Sequence, residues 1–505
     1  MQKFRFDFGL VLAVILLLVF GLIMMASVSV SESHEVTRGE AMQTIYKQMM
    51  QESAALYSQA ESKAKTSPKT ALLLLSRSEE LAIGLEKDES HTTEIGRLKE
   101  DIKKLRTTIL TASPEPVLEH TAATMTGSFW GSISDDTNAN YYDVRLKELS
   151  DELLKPRNDF YLSRHFINVA IGIPLLILGA CVSYQLWFRL APLLYYLSLL
   201  LMAILFVPGL GVTYKGATGW LDIPLLPSIQ PVEIMKISLI LYLARMFQLK
   251  SRAEIGTFHM GFIPFALTVG AVLICLAMQP DFGSILVLIP VSVALFYIAG
   301  ASVKQLVTSF MVALFIFSLA AFQLPYIHNR VSVFFSSEAD PTSKNVGWQI
   351  QQSLIAVGSG GVTGLGIGKS IQKFGYLPEV QGDTIFAAIG EETGFVGTLL
   401  VIILFFYIGY RGTQIARAAP DLFGYYAALG IVLLLVWQAC VNIGVTLKVL
   451  PLTGITLPLM SYGGSSLITM LFALGILINI SRHARQQTKT RFSFYRRRVR
   501  GTRAA

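Results

Sequence analysis

A glycine-rich stretch, residues 358–394, holds the acid best placed to do chemistry in this chain. Asp383 follows the flexible residue Gly382 and stands directly before an apolar run, residues 385–409. An acid at the centre of a membrane helix costs about 2.5 to 3.5 kcal/mol, so an acid at the mouth of such a run is rarely accidental. We therefore predict a functional role for Asp383, since acids with unusual surroundings cluster at functional sites.

Other ionisable residues surround this acid in the sequence: Lys369, Lys373, Glu379, Glu391 and Glu392. A helix rises 1.5 Å per residue, which would put Glu392 roughly 13 Å deeper in the membrane than Asp383. Two interpretations of the paired glutamates stay open. They serve the site, or they are satisfied by a neighbouring helix or by a helix that begins outside the membrane.

A second charged pair opens another apolar run. Glu233 and Lys236 follow Pro231, which suits the first turn of a helix because its missing N–H would be unpaired there. Residues three apart share a helix face and can pair. The pair is either a simple intrahelical ion pair, or Lys236 offers its charge to an anionic head group while Glu233 orients it.

An interrupted apolar stretch near the C-terminal end contributes hydroxyl groups to the candidate site. Residues 442–466 interrupt an apolar stretch with prolines, glycines and a serine cluster that includes Ser461 and Ser465. Broken helices at membrane depth occur only against protein or a wet cavity. The adjacent Gly463 and Gly464 either let helices pack closely or expose backbone N–H groups to an anion.

The composition identifies the elements that must position these residues. The chain has 505 residues, of which 52% are hydrophobic and 15% charged, far from the usual quarter charged of soluble proteins. Runs long enough to cross about 30 Å of hydrocarbon predict an all-α polytopic membrane protein with ten transmembrane helices. The first run, residues 8–30, is too long for a removed signal peptide and reads as an anchor.

The predicted organisation has four parts. Residues 1–33 form the first span, 34–157 a helical extracytoplasmic insertion, 158–481 a core of nine spans, and 482–505 a basic tail. Within the insertion, apolar residues recur at helical spacing up to about residue 110, punctuated by Pro68 and Gly84. The insertion either docks a partner or is a solvated spacer. Within the core, a long outer loop, residues 325–384, contains Arg330, and loops of this length are usually functional or disordered.

Lysine and arginine indicate the orientation. They collect in the segments that lie inside if both termini are cytoplasmic. The tail from Arg482 to Arg503 alone carries nine of them and no acid, so the formal net charge of +8 is mainly a topology signal. It suits contact with anionic lipid, and no motif supports nucleic-acid binding.

Six segments together resemble one family of membrane proteins. They are residues 159–164, 230–236, 279–283, 358–379, 383–392 and 457–466. Their motifs include Gln-Pro-Val-Glu at 230–233, Gln-Pro-Asp-Phe-Gly at 279–283 and Ser-Tyr-Gly-Gly-Ser-Ser at 461–466. The chain thus resembles the shape, elongation, division and sporulation (SEDS) family, which includes FtsW, RodA and SpoVE. Residues 452–458 are more similar to the FtsW and SpoVE branch than to RodA.

The resemblance implies a peptidoglycan glycosyltransferase that polymerises lipid II at the outer face of the bacterial cytoplasmic membrane, beside a class B penicillin-binding transpeptidase. It makes Asp383 the essential acid, either as the general base or as a ligand of a divalent cation. No organic cofactor is implied. The cationic partners of the pyrophosphate leaving group would be Lys236, ranked first, with Arg330, Lys369 and Lys373. Glu233, Glu392, Ser461 and Ser465 would support the site.

The sequence departs from the family pattern at a few places and leaves two other functions open. Val232, Gln381, Gly382 and Gly219 stand where the family usually has other residues, and the insertion replaces a short first loop. The alternatives are a lipid II flippase or an inactive scaffold for the transpeptidase. A transporter needs its ionisable residues near the midplane, whereas these are expected to cluster towards the outer face, which favours the polymerase.

Overall fold

A computed structural model describes residues 7–87, 92–112, 141–153, 159–207, 211–214, 217–221, 229–323, 330, 332–334 and 346–501. It contains two compact units. The first combines residues 1–31 with 159–505 and is the membrane unit, and the second is residues 32–158.

The membrane unit is built almost wholly from helices. After the start of α1 (Phe8–Lys63), its helices are α5 (Phe160–Cys181), α6 (Tyr184–Ile204), α7 (Pro231–Gln248), the short α8 (Arg252–Ile255), α9 (Ile263–Met278), α10 (Phe282–Ala299), α11 (Val303–Gln323), α12 (Val346–Ser359), α13 (Ile385–Arg417), α14 (Leu422–Thr446) and α15 (Gly464–Gly501). A one-turn π-helix, Phe258–Phe262, leads into α9. These helices share one apolar core.

Eight helices within the described residues are long and apolar enough to cross a membrane, so the chain is a multi-pass membrane protein. They are Phe8–Val30, Phe160–Cys181, Tyr184–Ile204, Phe258–Met278, Phe282–Ala299, Ile385–Arg417, Leu422–Thr446 and Gly464–Ala484. The all-α polytopic class is confirmed, whereas the predicted count of ten is not. Helix α7 carries three charged residues, Glu233, Lys236 and Arg245, and the described apolar part of α11 is only Val303–Ala313.

Local sequence explains several helix ends. Pro231 stands in the first turn of α7, as predicted. Asp281 caps α10 by accepting a hydrogen bond from the backbone N–H of Ser284 at 3.0 Å, again as predicted. Asp421 caps α14 in the same way through Gly424, at 2.7 Å.

One small sheet was not predicted. Strands β1 (Gly211–Tyr214) and β2 (Ala217–Leu221) pair antiparallel between α6 and α7. Leu221 also bridges to Ile229, just before α7 begins. The strands are only four and five residues long, too short for a periodic pattern to reveal them.

The second unit is a small helical domain. It consists of the part of α1 from Glu32 onward, with α2 (Pro68–Lys87), α3 (Thr92–Ala112) and α4 (Tyr141–Leu153). The predicted loop between α3 and α4 lies outside the described residues. Gly84 does not interrupt the helical pattern as predicted, since it lies inside α2. A Cβ at this position would sit 2.1 Å from the ring of Tyr142, so the glycine makes room for α4.

Candidate functional site

A tight turn before α13 positions Asp383. Glu379 adopts a positive φ of 52°, and its carbonyl accepts hydrogen bonds from the N–H of Gly382 at 2.9 Å and the hydroxyl of Thr384 at 3.0 Å. The N–H of Tyr462 also donates to the carbonyl of Gln381 at 2.7 Å. A non-glycine residue in this region is uncommon and is held there by its surroundings. The turn therefore fixes the backbone on both sides of Asp383.

The Asp383 side chain is half-buried beside α12. Gln349 donates from its side-chain amide to the two carboxylate oxygens at 3.3 and 3.4 Å. Gly454 lies on another side, where a Cβ would come within 3.9 Å of Oδ2. The carboxylate thus faces the segment between α14 and α15, residues 447–463, which we call the outer crossing because the predicted orientation puts it outside the membrane.

Helix α14 ties the backbone of Asp383 to the outer crossing. The side-chain amide of Asn442 donates to the carbonyl of Asp383 and to that of Ile455, both at 2.7 Å. Arg330 donates to the carbonyl of Leu452 in the same segment, at 2.9 Å. The structure therefore brings Asp383, Arg330 and the outer crossing together.

The predicted ion pair of α7 forms. Lys236 Nζ lies 2.8 Å from Glu233 Oε1 and 3.2 Å from Gln438 Oε1, and Lys236 is fully buried. Gln438 in turn donates to the carbonyl of Thr456 at 3.1 Å. The pair thus connects to the outer crossing through one side chain, and its ammonium group is not exposed. Its proposed role towards an anion stays a prediction.

Ser461 and Ser465 both accept hydrogen bonds from backbone N–H groups. Ser461 accepts from Leu457 at 2.8 Å, which closes the end of the outer crossing. Ser465 accepts from Gln230 at 3.0 Å and so ties the start of α15 to the residue before α7. These contacts give both serines a positioning role in the fold.

The other acids and bases form a separate cluster. Glu392 accepts hydrogen bonds from Ser27 at 2.6 and 2.8 Å and forms an ion pair with Lys373 at 3.1 Å. Lys373 also donates to the carbonyl of Gly368 at 2.8 Å and to Ser27 at 3.1 Å. Lys373 and Glu392 are 3% and 1% exposed, so this base is occupied inside the protein. Lys369, by contrast, is exposed.

Glu391 is held by the loop that precedes Asp383. It accepts from the hydroxyl of Ser370 at 2.5 Å and from the N–H groups of Ile371 at 2.9 Å and Gln372 at 3.3 Å. The sequence left open that a neighbouring helix satisfies the paired glutamates. Among the described residues, a neighbouring helix does so through Ser27, and the other donors belong to residues 368–373.

The apolar run that carries these glutamates is broken. Gly394 has φ 65° and ψ −163°, which divides α13 into two helical parts. Residues 361–366 hydrogen-bond the freed backbone: Leu365 and Gly366 donate to the carbonyls of Glu391 and Glu392, and Gly361 and Val362 accept from Phe395 and Val396, at 2.9 to 3.2 Å. A broken membrane helix is stable only when such groups are satisfied. The sequence predicted an unbroken span here.

Sequence reasoning missed Ser27, Asn442 and Gln438 as members of these networks. The available signal was a polar side chain in an apolar run, which marks interior positions of membrane helices. Among the described residues, no group of three or more His, Cys, Asp and Glu could hold a metal ion. The amide N–H₂ of Gln349, which lies at hydrogen-bond distance from Asp383, is a donor and not a metal ligand.

Comparisons with known proteins agree with this architecture. The family model of FtsW, RodA and SpoVE, described as "Cell cycle protein", matches residues 148–486. Stage V sporulation protein E of Bacillus subtilis is 38% identical over 326 residues, covering 65% of this chain and 88% of that protein. A probable peptidoglycan glycosyltransferase FtsW of Trichlorobacter lovleyi is 39% identical over 322 residues, covering 64% and 84%.

One solved structure is also similar, from a study named "Structural coordination of polymerization and crosslinking by a peptidoglycan synthase complex". It has a TM-score of 0.55 and 30% identity, and the match covers 64% of this chain and 89% of that one. The part of the chain outside the family match includes most of the second unit. With its helical membrane unit and more than half of its length matched by the family model, this chain belongs to the FtsW/RodA/SpoVE family, on the FtsW and SpoVE side.

Proposed function

We propose that this protein is a peptidoglycan glycosyltransferase that polymerises lipid II into glycan strands at the outer face of a bacterial cytoplasmic membrane. The observation that carries the proposal is the setting of Asp383, a half-buried carboxylate on a fixed turn, facing a segment that is itself held by side chains. Relatives of the chain carry the name peptidoglycan glycosyltransferase, which supports the same activity.

The chemistry is one displacement with inversion. The 4-hydroxyl of the acceptor sugar gives its proton to Asp383 as its oxygen attacks the anomeric carbon of the donor. The bond from that carbon to the polyprenyl pyrophosphate breaks, and the pyrophosphate leaves with the electron pair. A general base contributes typically 10²- to 10⁴-fold to such a step.

The leaving group needs cationic stabilisation, and the buried and exposed bases differ in how they can give it. Arg330 contacts the outer crossing that faces Asp383, and Lys369 is exposed, so we propose these two as direct partners of the pyrophosphate. Lys236 is buried against Glu233 and Gln438, so we propose that it acts through the backbone it helps to hold. Lys373 is occupied by Glu392 and stabilises the loop.

A divalent cation at the pyrophosphate stays a proposal of its own. The protein groups described around Asp383 offer one carboxylate and do not form a complete ligand set. Magnesium is commonly bound by one or two carboxylates together with substrate phosphates, so Asp383 could take part only with oxygens of the substrate. The steps given above pass through protein groups alone.

We also propose the location and the partner. Both termini lie in the cytoplasm, as the lysine and arginine distribution favours. Asp7, just before α1, pairs with Arg411 near the end of α13 at 2.6 Å, which is consistent with one membrane side for both. A class B penicillin-binding transpeptidase is the proposed partner, because the family resemblance implies one and because the similar solved chain comes from a synthase complex.

The test is polymerisation of labelled lipid II by the purified protein with candidate transpeptidases, comparing wild type with Asp383→Asn and Asp383→Ala. We expect strands from wild type and a rate lower by about 10²- to 10⁴-fold in both variants. Asp421→Asn is the matched control. It makes the same chemical change at the N-terminal cap of α14, far along that helix from Asn442. Asparagine still caps a helix, so this variant should keep wild-type activity.

Other outcomes would assign other functions. Wild-type protein that makes no strands with any partner but moves lipid II across liposomes would replace the polymerase with a flippase. Growth that tolerates Asp383→Ala, together with partner binding by the second unit, would favour a scaffold.

A further inference from the structure

Asn442 is the side chain that links Asp383 to the outer crossing. Its one amide N–H₂ group donates to two carbonyls, those of Asp383 and Ile455, both at 2.7 Å. A Cβ added to Gly454, the residue before Ile455, would lie 3.9 Å from Asp383 Oδ2, so this bridge ends close to the carboxylate. The distance between the turn that carries Asp383 and the outer crossing therefore depends on Asn442.

The surroundings of Asn442 argue against a role in packing alone. It is 1% exposed and lies in an apolar helix between the buried residues Val441 and Val445. Its own Oδ1 has no hydrogen-bond partner among the described residues. A buried polar group without a partner is unfavourable, so an amide here needs another reason to be present. The two short hydrogen bonds that it donates supply that reason.

Gln438 provides an internal comparison, one turn earlier on the same face of α14. Its amide also donates to the outer crossing, at the carbonyl of Thr456, but its oxygen accepts from Lys236. Within the described part of the chain, the side chain of Gln438 makes no hydrogen bond to Asp383. Two neighbouring amides thus hold consecutive carbonyls of one segment, and Asn442 is the one that adds the acid.

We propose that Asn442 is a positioning residue for the glycosyl transfer, fixing Asp383 relative to Gly454 and Ile455 where the acceptor hydroxyl must lose its proton. The inference rests on the proposed function, in which Asp383 is the base. A general base has to lie within hydrogen-bond reach of the proton that it removes. A misplacement of about 1 Å at such a site can cost about 10²-fold in rate.

The test compares Asn442→Ala and Asn442→Leu with wild type in steady-state polymerisation of lipid II, at several pH values. Both variants lose the donors, and leucine keeps the number and branching of the side-chain heavy atoms. We expect kcat to fall by about 10²-fold with KM changed by less than about threefold, because substrate binding is retained while the base is displaced. We also expect the acid limb of the pH profile of kcat to move.

Thr446→Val is the matched control. Thr446 is buried one turn later on α14, and the hydrogen bond of its hydroxyl within the described residues goes to the carbonyl of Asn442 at 3.0 Å. Valine has the same shape without the hydroxyl, so kcat, KM and the pH profile should stay at wild-type values. This control separates a change in the helix from loss of the bridge.

The remaining outcomes are decisive. Wild-type kcat and pH profile in both Asn442 variants would overturn the proposal, and so would a rate lowered by one factor at every pH, which indicates a smaller folded fraction. Failure of both variants to fold would also overturn it, since Asn442 would then be a folding residue. Retained polymerisation by Asp383→Asn would instead refute the base itself, whatever Asn442 does.

Discussion

Two acidic regions lie within ten residues of each other and have opposite surroundings. Glu391 and Glu392 are each 1% exposed and are saturated by short hydrogen bonds and one ion pair. Asp383 is half-buried, and the amide of Gln349 reaches it at only 3.3 and 3.4 Å. The contacts around the two glutamates stabilise the fold, whereas the contacts around Asp383 fix the backbone and leave the residue only half-buried.

The loop before α13 connects the two regions. The glutamates attach the loop before α13 to the helix, and the turn at the end of that loop carries Asp383. Rigid support beside a reactive group preserves its geometry. Acids that look alike in sequence therefore differ in the hydrogen-bond donors that surround them in the structure.

The largest loss of stability is expected when the buried ion pair between Lys373 and Glu392 is broken. Lys373→Met should lower the free energy of unfolding by about 3 to 5 kcal/mol, because it leaves Glu392 as a buried charge without its cation. Asp383→Asn should lower the same quantity by less, because Asp383 is half-buried and asparagine keeps the shape of its side chain. Denaturant titration in one detergent measures both.

The double variant Lys373→Met/Glu392→Gln sharpens this test. Removing both charges should recover part of the loss, since a neutral pair avoids the desolvation cost. Equal destabilisation by Lys373→Met and Asp383→Asn would contradict the distinction between the two regions.

A smaller loss is expected at the break in α13. Gly394→Ala places a Cβ 2.3 Å from the backbone nitrogen of Gly364 and forces a side chain into a positive φ of 65°. We expect a loss of about 2 to 3 kcal/mol, measured in the same titration. Gly358→Ala is the control, because a Cβ there meets nothing within 4 Å and lies inside α12. An unchanged stability of Gly394→Ala would mean that the loop does not depend on close contact with the break.

The smallest expected changes in the free energy of unfolding concern two serines of α1. Ser27→Ala removes a hydroxyl that contacts both Glu392 and Lys373 and should cost about 1 to 2 kcal/mol. Ser29→Ala should be neutral or slightly stabilising, since the buried Ser29 hydroxyl has no partner among the described residues. Equal values for the two variants would show that the contacts of Ser27 add nothing to the stability of this region.

The membrane character of the fold could be predicted because long apolar runs leave few alternatives to spanning helices. The helix starts at Pro231 and Asp281 were also predictable from local rules. The break at Gly394 was not, because the residues that satisfy it, 361–366, come from a loop whose path depends on tertiary structure. Nor was the role of Gly84, which becomes visible only when Tyr142 packs against it.

The candidate site was predictable in its residue types and not in its connections. Spacing alone predicted the pairing of Glu233 with Lys236, which the structure contains at 2.8 Å. Lys373 and Lys369 looked equivalent in sequence, yet one is buried against Glu392 and the other is exposed. Lys373 also contacts Ser27, which lies 346 residues away along the chain, a separation that no local pattern can reveal.

The donors to Glu391 and Glu392 have one further property, their order of synthesis. Ser27 and the contributing groups of residues 368–373 all precede the glutamates in the chain. By the time the ribosome has synthesised the glutamates of α13, it has therefore already made each of these partners. Glu391 can therefore meet its hydrogen-bond donors, and Glu392 its cation Lys373, as soon as the two acids emerge from the ribosome.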